Sequence, residues 1–164
     1  MSLRDAIADG QRRLAAAGVP SPDTDAMLLA AHVKGVPRSR LLLHDRMDPT
    51  ERTAYERLLT KRVARVPLQH LVGSAAFRNL ELAVGPGVFI PRPETELVAQ
   101  AGIDALRALP AGERRAVDLC TGSGAVAFAL ATEAAPAHVT AVEVDDAAFV
   151  WMRRNADALL EEME

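Results

Sequence analysis

The stretch Val117-Asp118-Leu119-Cys120-Thr121-Gly122-Ser123-Gly124-Ala125-Val126-Ala127, followed by Ala141-Val142-Glu143, decides the fold. A strand that ends in Gly122-Ser123-Gly124 and passes directly into a helix leaves backbone N–H groups pointing outward, and the missing Cβ atoms admit a ligand to the main chain. Glu143 stands 19 residues beyond Gly124. At the tip of the neighbouring strand, its carboxylate can accept hydrogen bonds from the two hydroxyls of a ribose. A glycine corner alone often serves packing; the acid at this distance points the pair to a nucleoside ligand.

Outward from this turn the chain reads as strand Ala116–Cys120, helix Ala125–Ala135, strand Val139–Val144 and a helix from Ala147 to about Leu160. This β-α-β-α series predicts an α/β fold with a parallel, doubly wound sheet. Upstream, Pro91-Arg92-Pro93-Glu94-Thr95-Glu96 starts a helix that runs through Leu106, with Pro110-Ala111-Gly112 as its exit. Before it, Ala76-Phe77 and Leu80–Val84 read as a hairpin with Arg78-Asn79 at the turn, closed by Gly85-Pro86-Gly87.

Residues 1–66 predict a small helical bundle. Ser2 caps a helix carrying Leu3, Ile7 and Leu14, which Gly18 and Pro20 end; Ser21-Pro22 opens a second that stops at Gly35. Asp48 and Glu51 have capping-box spacing before a helix with Tyr55, Leu58, Leu59, Val63 and Val66 on one stripe. These stripes are read as core. The boundary is expected near Gly73, giving a helical unit 1–73 and a second unit 74–164 with a hairpin linker at about 74–90.

The net charge is −3. It divides unevenly, +4 over residues 1–73 and −7 over 74–164, as expected of two modules. The basic charges lie on polar helix faces without interleaved aromatics, which favours solvation over direct nucleic-acid binding. No apolar run reaches the roughly 18 to 20 residues of a membrane span, so a cytoplasmic protein is expected. Cys120 is the only cysteine, excluding an internal disulfide, and His32, His44, His70 and His138 lack ligand spacing, so no metal site is expected.

Gly122-x-Gly124-x-x-Ala127 also satisfies a dinucleotide fingerprint, which leaves a nicotinamide-dependent oxidoreductase fragment as an alternative, beside a non-catalytic interaction module. Asp118 and Thr121 interrupt the apolar strand, however, and Asp118-x-x-x-Gly122-x-Gly124 resembles motif I of class I methyltransferases. An acid there suits the positive S-adenosyl-L-methionine (SAM) rather than a pyrophosphate. With Phe89-Ile90-Pro91-Arg92-Pro93-Glu94-Thr95-Glu96, and Arg65-Val66-Pro67-Leu68-Gln69-His70-Leu71-Val72-Gly73 upstream, the chain resembles the PrmC/HemK family of protein-(glutamine-N5) methyltransferases over nearly its whole length.

The resemblance implies a helical N-terminal domain, a hairpin linker and the first part of a Rossmann-like methyltransferase domain. It also implies SAM as cofactor and the GGQ glutamine of class-1 peptide chain release factors as target. Carried over, Cys120, Thr121, Gly122, Ser123 and Gly124 form the cofactor loop, Glu143 holds the ribose and Asp118 orients the loop and the methionine end. Cys120 stands where the family commonly has Gly, and Glu143 where it often has Asp. From its apolar neighbours, Cys120 is expected as a small buried residue at a strand end.

Arg92, Glu94 and Glu96 fit either a cofactor mouth or a helix N-terminus. Phe77 is expected in the core. The family's Asn-Pro-Pro-Tyr substrate motif would follow the fourth strand, beyond residue 164, so no catalytic residue is assigned here. The expectation is that these 164 residues alone are inactive and prone to self-association through an uncovered apolar face.

Overall fold

The computed structural model describes residues 2–163. The chain divides into two compact units, Met1–Val72 and Gly73–Glu164.

The first unit holds α1 (Leu3–Ala16), α2 (Pro22–Lys34), a 3-10 segment (Arg38–Leu43), α3 (Pro49–Val63) and α4 (Leu68–Val72). Two reciprocal capping boxes set the starts of α1 and α3. Ser2 Oγ accepts the Asp5 N–H at 3.1 Å while Asp5 accepts that of Ser2, and Asp48 and Glu51 exchange two 2.8 Å bonds. Gly35, at φ 63°, ends α2 in the left-handed conformation that glycine adopts at little cost. Leu3, Leu14, Leu29, Leu41, Tyr55 and Leu59 form the fully buried centre. Asp25 is buried too, satisfied by Arg62 Nε at 2.7 Å.

Two expectations shift here. Helix α3 stops at Val63 rather than reaching Val66, because Arg65 turns to φ 68° and Arg62 Nη1 donates to the Val66 carbonyl at 3.0 Å. The stretch 68–72, left without structure in the sequence, forms the single turn α4, whose Leu68, Leu71 and Val72 pack on the bundle core.

The second unit begins with the antiparallel hairpin β1 (Ser74–Phe77) and β2 (Leu80–Ala83), paired from Ser74↔Ala83 to Phe77↔Leu80 around the two-residue turn Arg78-Asn79. It continues through α5 (Thr95–Arg107), β3 (Arg115–Leu119), α6 (Ala125–Glu133), β4 (His138–Val142) and α7 (Asp146–Met163). Strands β3 and β4 are parallel, in register from Arg115↔His138 to Leu119↔Val142, with α6 as their crossover. The mixed α/β architecture is the one expected, although the two strand pairs form separate two-stranded sheets.

Phe77, Leu82, Ala99, Ala125 and Ala129 pack the hairpin against α5 and α6. Phe77 is thus core, as expected. Ile103, Leu106, Leu130 and Ala134 continue the seam between the two helices. Along β3 and β4 burial alternates, leaving Val117, Leu119 and Val142 exposed.

Helix α5 starts at Thr95, four residues later than Pro91. Pro93 disfavours helical backbone at Arg92, and three short turns bring the chain from Arg92 to Leu97 instead. No helix among the described residues is long and apolar enough to cross a membrane.

Candidate cofactor site

Beyond Leu119 the backbone alternates: Cys120, Gly122 and Gly124 all have positive φ, at 59°, 59° and 88°. The two glycines take these angles at little cost; Cys120 does not. Gly124 is required for a second reason, since a Cβ there would fall on the Phe128 ring, whereas a Cβ on Gly122 would meet nothing within 4 Å among the described residues. Gly122 therefore leaves space open above the turn.

The turn is pinned from several sides. Thr121 N–H donates to the Val142 carbonyl at 3.0 Å, and Gly124 N–H to that of Thr121 at 2.9 Å. Asp118 Oδ2 accepts both the Thr121 hydroxyl, at 2.7 Å, and the Ala127 N–H, at 3.1 Å. Asp118 thus ties the strand end to the first turn of α6, where an acid also meets the positive end of the helix dipole.

Glu143 closes the arrangement. Its Oε2 accepts the Gly122 N–H at 2.8 Å, and its Oε1 those of Val144 and Asp145 at 2.9 and 3.0 Å. The backbone bonds from Asp145 and Gly122, with a smaller one from Val144, hold its carboxyl below the usual range. Three N–H groups occupy part of a carboxylate's capacity of about four acceptor positions. In this structure the acid is first an organiser of the turn.

A cavity of about 160 Å³ lies beside the turn, walled by Asp118, Cys120, Thr121, Gly122 and Ser123 together with Phe89, Pro91, Arg92 and Thr95. Arg92 lies over the Phe89 ring, 5.0 Å from its centroid. Gly124 and Glu143 support the turn without lining the cavity. The N–H groups of Ser123, Ala125 and Val126 take no acceptor among the described residues, and all three residues wall the cavity.

One expectation is overturned: Cys120 is exposed rather than buried. It stands past the end of β3, and its positive φ lifts it out of the alternation that would turn it inward. Glu94 sits at the cap position of α5 without a side-chain bond, and Glu96 accepts the Arg78 N–H at 3.0 Å, so neither reaches the cavity.

Two residues of this region went unnoticed in the sequence. Asn155 of α7 donates to the Ser123 carbonyl at 2.9 Å. A signal existed, since Asn155 follows Ala148 and Trp151 on the inward stripe of α7, where a polar side chain needs a partner. Arg78 was read only as a turn residue. It binds Glu133 of α6 through two bonds and Gln100 of α5 through a third, all at 2.7 Å, which nothing local foretells.

Residues 5–73 match the family model described as the PrmC N-terminal domain. The chain is 52% identical over 151 residues to the release factor glutamine methyltransferase of Streptomyces coelicolor, covering 92% of this chain and 53% of that protein. It is also 52% identical over 154 residues to that of Mycolicibacterium smegmatis, and 45% identical over 161 residues to that of Mycobacterium tuberculosis. The chain spans about half the length of the curated relatives it matches. Residues 5–73 thus match the PrmC N-terminal domain, and over more than nine-tenths of its own length the chain is similar to release factor glutamine methyltransferases.

Proposed function

We propose that the protein to which these residues belong transfers a methyl group from SAM to the side-chain nitrogen of a glutamine, the GGQ glutamine of class-1 peptide chain release factors. The observation that carries this reading is the turn 118–124, braced by Asp118 and Glu143, in a chain whose relatives are named release factor glutamine methyltransferases. The proposal carries with it a location in the cytoplasm, where translation ends.

The residues fit the cofactor. Bound there, SAM supplies an electrophilic methyl group. Asp118 and the unpartnered N–H groups of Ser123, Ala125 and Val126 stand where they can meet its ammonium and carboxylate, and the space over Gly122 admits the nucleoside. The cavity is smaller than the roughly 300 Å³ at which small-molecule pockets begin, so its walls suit one end of the ligand. Glu143, already bound to the Gly122 N–H, retains acceptor capacity for one ribose hydroxyl. Residues 118–124 and 143 thus position the donor, and the helical unit is proposed to recognise the release factor.

Calorimetric titration tests the cofactor half. SAM and S-adenosylhomocysteine are expected to bind, with loss of affinity in Gly122→Val and Glu143→Ala; preferential NAD binding would overturn the assignment. The transfer half is tested on the full-length protein with methyl-labelled SAM and a release factor. Label on the factor that disappears when its GGQ glutamine is replaced supports the target; label that persists refutes it.

A further inference from the structure

We propose that Asn155 is a positioning residue for the cofactor turn, acting through the Ser123 carbonyl. The inference rests on reading 118–124 as that turn. Asn155 is 5% exposed and lies on α7, well removed in sequence from the groups it touches. Its Nδ2 donates to the Ser123 carbonyl at 2.9 Å and to the Ala83 carbonyl at 3.1 Å, while its Oδ1 accepts the Ala83 N–H at 2.7 Å. Both amide hydrogens and the amide oxygen are used. The two bonds to one residue, Ala83, fix the plane of the side-chain amide on the end of β2, and the remaining N–H then has a single direction, toward Ser123.

This arrangement orients the peptide between Ser123 and Gly124. Asn155 is not among the residues that wall the cavity, so the carbonyl it holds is engaged away from that space. Released, the carbonyl would be a buried acceptor without a partner, and only the Gly124 N–H bond to Thr121 would still keep the peptide from turning it toward the ligand, where its lone pairs oppose a carboxylate. Held, it leaves donors rather than an acceptor facing the cavity. The rest of α7 keeps Asn155 in place: Trp151 Nε1 donates to the Pro86 carbonyl at 3.1 Å, and its ring fills the space that a side chain on Gly85 would need.

The test is titration of S-adenosylhomocysteine into the intact protein and two variants. Asn155→Ala removes all three bonds; Asn155→Asp keeps an acceptor for the Ala83 N–H but places its other carboxylate oxygen against both carbonyls. Each is expected to bind about tenfold more weakly or worse at a temperature where it is fully folded. Ile103→Val, in the seam between α5 and α6, serves as a control for a lowered thermal midpoint and is expected to keep wild-type affinity. Wild-type-like affinity in both Asn155 variants overturns the proposal, and so does an equal loss in Ile103→Val.

If the wild-type protein binds no S-adenosylhomocysteine, the cofactor reading fails. Amide hydrogen exchange then decides on Asn155: faster exchange at Gly122 and Gly124 in Asn155→Ala, but not in Ile103→Val, supports its hold on the turn, and unchanged exchange refutes it.

Discussion

Arg78 meets Glu133 through two parallel bonds of 2.7 Å, Nε to Oε1 and Nη2 to Oε2, joining the tip of the hairpin to the last turn of α6. The hydrogen bond from Arg78 is the main reason the Glu133 carboxyl lies below its usual range. A carboxyl depressed by folding contributes stability that is present above its unfolded pKa and is lost as pH falls through the folded one. Glu133→Gln should therefore lower the thermal midpoint at neutral pH. The gap to wild type should narrow as pH drops below the ordinary glutamate range; a constant gap down to acid unfolding contradicts this.

Gly10 faces Tyr55 across the helical bundle, and a Cβ there would collide with the Tyr55 hydroxyl. That hydroxyl is buried without a hydrogen-bond partner among the described residues, and burial pushes its pKa up. Gly10→Ala, worth about 1 kcal/mol of gain in an exposed helix, is predicted to destabilise this one. Tyr55→Phe removes an unsatisfied group and should leave stability unchanged or raise it by about 1 kcal/mol. In the Tyr55→Phe background, Gly10→Ala should cost less. Urea unfolding of the four proteins checks the coupling, and additive effects would refute it.

The two glycines of the turn should differ. Gly122→Ala places a side chain in open space and suffers chiefly the left-handed backbone, about 1 to 2 kcal/mol. Gly124→Ala adds displacement of the Phe128 ring. Its loss of stability in denaturant should be clearly larger, and equal losses would show that Phe128 yields freely.

Glu143→Gln keeps the shape of the side chain but turns an N–H₂ group toward at least one backbone N–H. The prediction is an S-adenosylhomocysteine affinity about tenfold weaker. Because folding lowers the pKa of Glu143, the stability its bonds give is present at neutral pH and disappears as pH falls through that lowered value. Protection of the Gly122 amide, its exchange rate relative to the intrinsic rate at each pH, should fall on acidification in wild type more than in Glu143→Gln, and parallel profiles would contradict the assignment.

What was legible in the sequence was local. The Asp48–Glu51 box, the two-residue hairpin turn, the glycine corner and the acid beyond it are signals spanning a few residues, or one strand-helix-strand unit. The outer limits of elements were not, as α5 shows, where the order of prolines moved the start to Thr95. Neither were the long-range ties. Arg78 to Glu133 spans 55 residues and Asn155 to Ala83 spans 72, and such partners are chosen by the fold rather than by spacing. Cys120 was misplaced for a related reason: the strand pattern implies alternation up to its last residue, while one positive φ ends it.

The exposure of Cys120 on the cavity wall gives these 164 residues a built-in reporter. The chain has one thiol, and that thiol stands where the ligand is proposed to lie. On the purified chain, alkylation by iodoacetamide is therefore expected to slow as the ligand binds, a readout of occupancy that needs no fluorophore, engineered residue or turnover assay.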